Sequence, residues 1–225
     1  MESTNSSFSK TNLETIFPKR MFNHPFYRAW EMGELSRVVL KTYSKQYYHH
    51  VSVFPRYVRA THWCCPDISS RQVLLENLID KERGVKNHPA LWRQFVAGMG
   101  AAEMEAESET LRPETKNLSE TFMRLSQSSY AEGLGALFAY EQQIPAVATT
   151  KADGWRKFYD AGDARTTAYF TLHAEIEVHH SAATRNLIDA LRESVRAKAL
   201  QAAEEVSVAL WSFLDGVEQE RLSVH

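Results

Sequence analysis

The chain has 225 residues, of which 44% are hydrophobic, and its 26 basic and 28 acidic residues give a net charge of -2. This length and composition suit one hydrophobic core, and we expect a single domain over residues 12–225 behind a disordered, Ser- and Asn-rich tail at 1–11. The balanced charge gives no electrostatic reason to expect nucleic acid as a partner. Neither a signal peptide nor an apolar run of ~18 residues is present, which favours a cytoplasmic protein without membrane contact.

Helical periodicity runs through almost the whole chain. A short segment at Leu13–Phe17 comes first, and Pro55 is expected to bend or divide the long helix that follows. The predicted helices lie at 25–30, 35–63, 69–82, from 89 onward, 113–126, 129 to Pro145, 166–183 and 184–222, with an acidic helical patch at 103–109 and a short stretch at 155–159. No alternating pattern of β-branched residues occurs. The sequence therefore predicts an all-α fold of seven or eight helices.

The two cysteines, Cys64 and Cys65, are adjacent. A structural disulfide between neighbouring residues has poor geometry, and two cysteines are too few for a zinc site made of cysteine alone. We interpret both as reduced thiols.

The stretch from His173 to His180 has the most informative pattern in the sequence. On a helix, Glu177 lies ~40° from His173, and His180 lies ~20° to the other side of Glu177, so the three side chains share one face. Imidazole with carboxylate suits iron, manganese or zinc. The alternative is a solvated helix face that carries ordinary His and Glu residues.

Metal sites in helical bundles take ligands from facing helices, so further ligands are needed elsewhere. Glu141 lies near the end of an otherwise apolar helix, where an unpaired buried carboxylate is costly. It is either a ligand or a group that caps the helix end in water. His88 stands at a helix junction, where a capping or core histidine is the ordinary alternative.

A series of motifs over residues 13–217 resembles a known family. They are Asn23–Trp30 with Gly33–Leu35, Tyr43–Tyr48, Phe54–Pro55, Asn77–Asp80 followed by Gly84 and Asn87–His88, Leu91–Phe95, Tyr140–Pro145, Ala168–His173 and Phe213–Asp215. In this order they resemble the chlamydial protein associating with death domains and its bacterial relatives. These are heme-oxygenase-like di-metal oxidases, similar in fold to pyrroloquinoline quinone synthase C-like and TenA-like proteins.

The resemblance implies a seven-helix, heme-oxygenase-like bundle with a pair of metals, iron or iron with manganese, in its core. The implied ligands are His88, Glu141, His173, Glu177 and His180. Relatives commonly have aspartate where this chain has Glu177.

Lys81 is the main departure from the family pattern, because it occupies the position of a sixth ligand, a glutamate. An ammonium group repels a metal cation. Three explanations remain open: Glu82 replaces the ligand after a local shift, one metal binds well and the other poorly, or Lys81 is an altered position. Glu82 is rotated ~100° from the required direction, which favours the second or third.

The resemblance also implies a reaction. Relatives are thought to make para-aminobenzoate, a folate precursor, from their own residues, with dioxygen and a reductant. The matching residues are Tyr27 as ring donor, Tyr43 as a redox-active neighbour and Lys151 as amino donor, with Tyr169 a weaker candidate. The ordinary interpretation is two core tyrosines and a surface lysine.

Two other functions are kept as alternatives. One is an oxidase of the same fold that acts on an external small molecule. The other is a protein-interaction module, which only the relative's association with death domains suggests. A homodimer is compatible with an apolar bundle of this kind.

Overall fold

The computed structural model describes residues 19–159 and 163–223, and helices make up nearly all of them. No strand occurs in these two ranges, so the all-α prediction is confirmed. The helices are α1 Pro25–Met32, α2 Arg37–Cys64, α3 Ile68–Glu82, α4 His88–Gly98, α5 Pro113–Ser128, α6 Tyr130–Glu141, α7 Ile144–Phe158, α8 Ala164–Asp189 and α9 Glu193–Ser223. The expected tail at 1–11 and the segment Leu13–Phe17 lie outside the described residues.

Local sequence signals explain where several helices begin. The N-cap side chains of α2, α3, α4 and α6 accept hydrogen bonds from backbone N–H groups in the first turn of each helix; they are Ser36, Asp67, Asn87 and Ser129. Helix α1 ends at Gly33, whose φ of 72° lies in the left-handed region that glycine adopts without strain.

The two prolines have different outcomes. Helix α2 runs through Pro55 without being divided, which leaves a bend as the remaining part of the prediction, and its buried neighbours Phe54, Tyr57 and Val58 offset the cost of a missing backbone N–H. Pro145 does not close a helix. It lies in the first turn of α7, where a proline removes no intrahelical hydrogen bond. The stretch predicted at 155–159 is therefore the end of a 15-residue helix.

Other boundaries also move. The acidic patch at 103–109 forms only a 3-10 turn, Glu103–Glu105. Helix α8 extends to Asp189, past the predicted break at 183, because Thr184 faces the interior. Among the described residues, eight α-helices have eleven residues or more, and the short helix α1 has eight residues. The resemblance implied seven helices, a minor difference.

Helices α2, α3, α4, α6 and α8 surround the polar side chains described below. Helices α6 and α9 pack closely because residue 135 is glycine, since a Cβ there would overlap the backbone carbonyl of Ala199. Among the described residues, no helix combines the length and the apolar character that crossing a bilayer requires.

Candidate functional site

The five predicted metal ligands come together in the interior of the bundle. His88 begins α4, Glu141 ends α6, and His173, Glu177 and His180 share one face of α8; all five are buried. They form two overlapping groups, His88 with His173 and Glu177, and Glu141 with Glu177 and His180. Within each group the potential ligand atoms lie within 4.8 Å of one another. Glu177 belongs to both groups, as a carboxylate that bridges two positions would.

Glu141 is held in place by two hydrogen bonds, so it does not cap a helix end in water. Asn77 Nδ2 donates to Oε1 at 2.7 Å, and Thr184 Oγ1 donates to Oε2 at 2.9 Å. Burial and the nearby Glu177 carboxylate raise the pKa of Glu141 above its usual value. Asn77 and Thr184 were not predicted as site residues, although Asn77 is one helical turn from Lys81 and Thr184 is one turn from His180.

The histidines differ in the direction of their pKa shifts. His173 Nδ1 lies 2.8 Å from the backbone carbonyl of Tyr169, which can only accept, so Nδ1 carries the hydrogen and Nε2 has the free lone pair. Burial lowers the pKa of His173 to about 3 and also lowers that of His88, with His173 adding to the effect. Burial also lowers the pKa of His180, but the nearby carboxylates of Glu177 and Glu141 outweigh this and the net pKa is raised. His88 and His173 are therefore neutral imidazoles, the form that binds metals.

Lys81 lies inside this cluster and is itself buried. Its Nζ donates a hydrogen bond to Glu177 Oε1, lies 3.2 Å from His180 Nδ1, and is 5.4 Å from the ring centre of Phe54. Burial raises the pKa of Glu177, but Lys81, His180 and His173 outweigh it, so the net pKa is lowered. Glu82 is exposed to solvent, so it does not take over the position of a missing ligand.

A second buried cluster contains the predicted reaction residues. Lys151, from α7, is not on the surface: its Nζ is hydrogen-bonded to the Tyr43 hydroxyl and lies 4.7 Å from the ring centres of both Tyr27 and Tyr43. The two hydroxyl oxygens are 3.4 Å apart. Burial lowers the pKa of Lys151 well below its usual value and raises the pKa values of both tyrosines.

Aromatic side chains connect the two clusters. Tyr43 stacks on Tyr47 with ring centres 5.4 Å apart, and the Tyr47 hydroxyl donates to that of Tyr140 at 2.9 Å. Tyr169 stacks on His173 at 3.7 Å. Tyr47 was not singled out from the sequence, although its spacing of four from Tyr43 places both on one helix face. Tyr169, the weaker candidate, contacts the ligand cluster and not Lys151.

The sequence matches the family of iron-containing redox enzymes over residues 41–212, most of the chain. The chain belongs to this family. A 4-aminobenzoate synthase of Chlamydia muridarum is 39% identical over 208 residues, which cover 92% of this chain and 88% of that protein. The resemblance found in the sequence is thereby confirmed.

Solved structures agree on the fold. A TenA homologue from Pseudomonas syringae superposes with a TM-score of 0.77 at 17% identity, covering 92% of this chain and 91% of that one. A domain with a heme oxygenase-like fold from Shewanella denitrificans gives a TM-score of 0.78 at 14% identity, covering 92% and 89%. The heme-oxygenase-like fold is therefore confirmed.

One of the two groups of potential ligands fits iron, and the other does not. Two neutral imidazoles and a carboxylate in one group are the ligands that iron accepts. His88 Nε2 and Glu177 Oε2 are buried and make no hydrogen bond with the described residues, as atoms that face a metal would. The second group does not fit in the same way, because the Lys81 ammonium touches two of its three members.

Proposed function

We propose that this chain makes 4-aminobenzoate in an oxygen-dependent reaction in which it consumes two of its own side chains. Tyr27 supplies the aromatic ring, Lys151 supplies the amino group, and Tyr43 is the redox-active neighbour. The observation that carries the proposal is the position of the Lys151 amine, in contact with Tyr43 and over the ring of Tyr27. The name of the 39% identical relative supports the product.

The surroundings of Lys151 favour a reactive amine. The described groups around Nζ are phenol and aromatic rings, including Tyr47 at 5.2 Å and Trp30 at 5.6 Å from their ring centres. No carboxylate of the described residues bonds to it, and burial lowers its pKa. A neutral amine has a free electron pair and can attack carbon, whereas an ammonium cannot.

Tyr43 is placed to pass a proton and an electron. Its hydroxyl contacts both Lys151 Nζ and the Tyr27 hydroxyl, so Tyr43 would lose its electron and proton directly beside both the amino donor and the ring donor. Iron held by His88, His173 and Glu177, with a reductant, supplies the activation of dioxygen when bound. We keep manganese, alone or with iron, as part of the proposal.

The space beside His88 and His173 favours an internal substrate over an external one. The cavity that His88, His173 and Lys81 line has a volume of about 10 Å³, room for about one water-sized particle. Dioxygen is of this order of size, whereas an external aromatic substrate is many times larger. A separate cavity of about 270 Å³ borders His180. An oxidase for external small molecules would have to bind its substrate there, or the helices around His88 would have to move apart.

Product analysis tests the proposal. Protein reconstituted with iron, alone and with manganese, then supplied with reductant and dioxygen, should release at most one 4-aminobenzoate per chain. Tyr27→Phe and Lys151→Arg should release none. Tyr48→Phe, whose hydroxyl contacts Glu107 and Arg93 instead, is the matched control and should remain active.

Isotope labels identify the source of the atoms. Protein grown with ring-¹³C tyrosine and side-chain-¹⁵N lysine should give doubly labelled product in the presence of excess unlabelled tyrosine and lysine. Repeated turnover with product exceeding the protein, or unlabelled product, would instead support an external substrate.

A further inference from the structure

We propose that the ligand cluster of this chain holds a single metal ion, on His88, His173 and Glu177, and that the Lys81 ammonium takes the place of a second ion between Glu177 and His180. The inference concerns the metal site that the proposed function uses. It rests on the arrangement of buried polar atoms, and metal content tests it independently of product.

The polar atoms around Lys81 already have partners. Both oxygens of Glu141 accept hydrogen bonds, one from Asn77 and one from Thr184. His180 Nδ1 lies 3.2 Å from Lys81 Nζ, and its Nε2 lies 3.1 Å from Asp80 Oδ2. A second ion at this position would have to displace the ammonium and break several of these contacts.

The polar atoms on the other side do not have such partners. His88 Nε2 makes no hydrogen bond with a described residue, and the free lone pair of His173 Nε2 has Glu177 Oε1 at 3.7 Å, beyond hydrogen-bond range. Glu177 Oε1, the oxygen nearest His173, accepts from Lys81, and Glu177 Oε2 lies beside His180 Nδ1 at 3.4 Å without hydrogen-bond geometry. Buried polar atoms without partners are costly unless a ligand satisfies them. The two imidazole nitrogens of His88 and His173 therefore mark the position of the ion, and Glu177 completes the group.

Charge balance leads to the same assignment. Two carboxylates, Glu141 and Glu177, one ammonium and one divalent ion leave a single positive charge in the buried site. A second divalent ion beside the ammonium would leave three, and a second ion that displaced the ammonium would still leave two; uncompensated buried charge is strongly unfavourable. With a glutamate in place of Lys81, three carboxylates and two divalent ions would again leave only one positive charge.

Metal content per folded chain is the decisive measurement. We would reconstitute each protein anaerobically with excess iron(II), alone and with manganese(II), remove unbound metal and measure the metal by mass spectrometry. We expect one ion in the unaltered chain, one in Lys81→Met and two in Lys81→Glu. Lys86→Glu makes the same charge change at an exposed position of the neighbouring turn and should retain one ion.

Two further variants locate the ion. His88→Ala should lose it, whereas Glu141→Gln should keep it. Anomalous scattering at the iron edge should place one peak among His88, His173 and Glu177. The helical signal in circular dichroism checks that each variant is folded. If Lys81→Glu does not fold, the metal contents of the unaltered chain and of these two variants still test the proposal.

Several outcomes would overturn the proposal: two ions or none in the unaltered chain, one ion in folded Lys81→Glu, or an ion that survives His88→Ala but not Glu141→Gln. One ion without any 4-aminobenzoate would leave the metal assignment standing and refute the proposed function. Two ions in a chain that releases 4-aminobenzoate would refute the metal assignment and leave the proposed function standing.

Discussion

Two buried lysines, Lys81 and Lys151, have opposite surroundings. Lys81 is bonded to the Glu177 carboxylate, so its ammonium is one member of a buried ion pair. Lys151 has the Tyr43 hydroxyl and aromatic ring faces around it, and burial lowers its pKa well below the usual value. The same residue type thus lies in an ion pair with a carboxylate in one cluster and among phenol and aromatic rings that lower its pKa in the other. The difference is whether a carboxylate lies within reach.

Replacing each lysine by methionine should give the largest difference in stability between the two clusters. In metal-free protein at pH 7, Lys81→Met leaves Glu177 buried without its cation, and we expect the free energy of unfolding to fall by about 3 kcal/mol or more. Lys151→Met removes an amine that folding deprotonates, and should leave stability equal or higher. Urea unfolding curves measure both. Equal losses would show that the two lysines are held in the same way.

Lys151 should also make stability depend on pH. Its pKa is lower in the folded than in the unfolded chain, so between the two values the unfolded chain binds more protons and stability rises with pH. The slope for one group is about 1.4 kcal/mol per pH unit within that window. Lys151→Met should lack this contribution. Any excess of its free energy of unfolding over that of the unaltered chain should therefore shrink as the pH approaches the ordinary pKa of lysine. Parallel profiles for the two proteins would contradict a neutral Lys151.

A smaller effect on the free energy of unfolding is expected from removing a hydrogen bond that Thr184 donates to a residue of the ligand cluster. Thr184→Val keeps the shape of the side chain but removes the donor to Glu141 Oε2, and should lower the free energy of unfolding of the metal-free protein by about 1 kcal/mol. Thr149→Val, at an exposed position whose hydroxyl bonds only to its own helix, is the control and should have little effect. If both variants behave alike, Glu141 does not depend on Thr184.

Much of the site could be predicted because it is periodic or locally coded. The spacing of His173, Glu177 and His180 places them on one helix face whatever the helix packs against. The resemblance indicated His88, Glu141, Tyr27, Tyr43 and Lys151, and the structure brings them into two buried clusters. Their roles as ligands and reactants stay predictions. The errors were at Pro145 and at the break between the last two helices, where packing outweighs local signals.

The sequence by itself determined that this chain is an all-helical bundle with imidazole and carboxylate side chains on one face of a helix, because helical periodicity and residue chemistry are local properties. It also indicated that Lys81 conflicts with a second metal. Only the tertiary structure decided that the Lys81 amine contacts Glu177 and His180, that Glu82 remains in solvent, and that Lys151 lies between two phenols. Those facts depend on which residues of separate helices meet, and long flexible side chains reach partners that no spacing along the chain specifies.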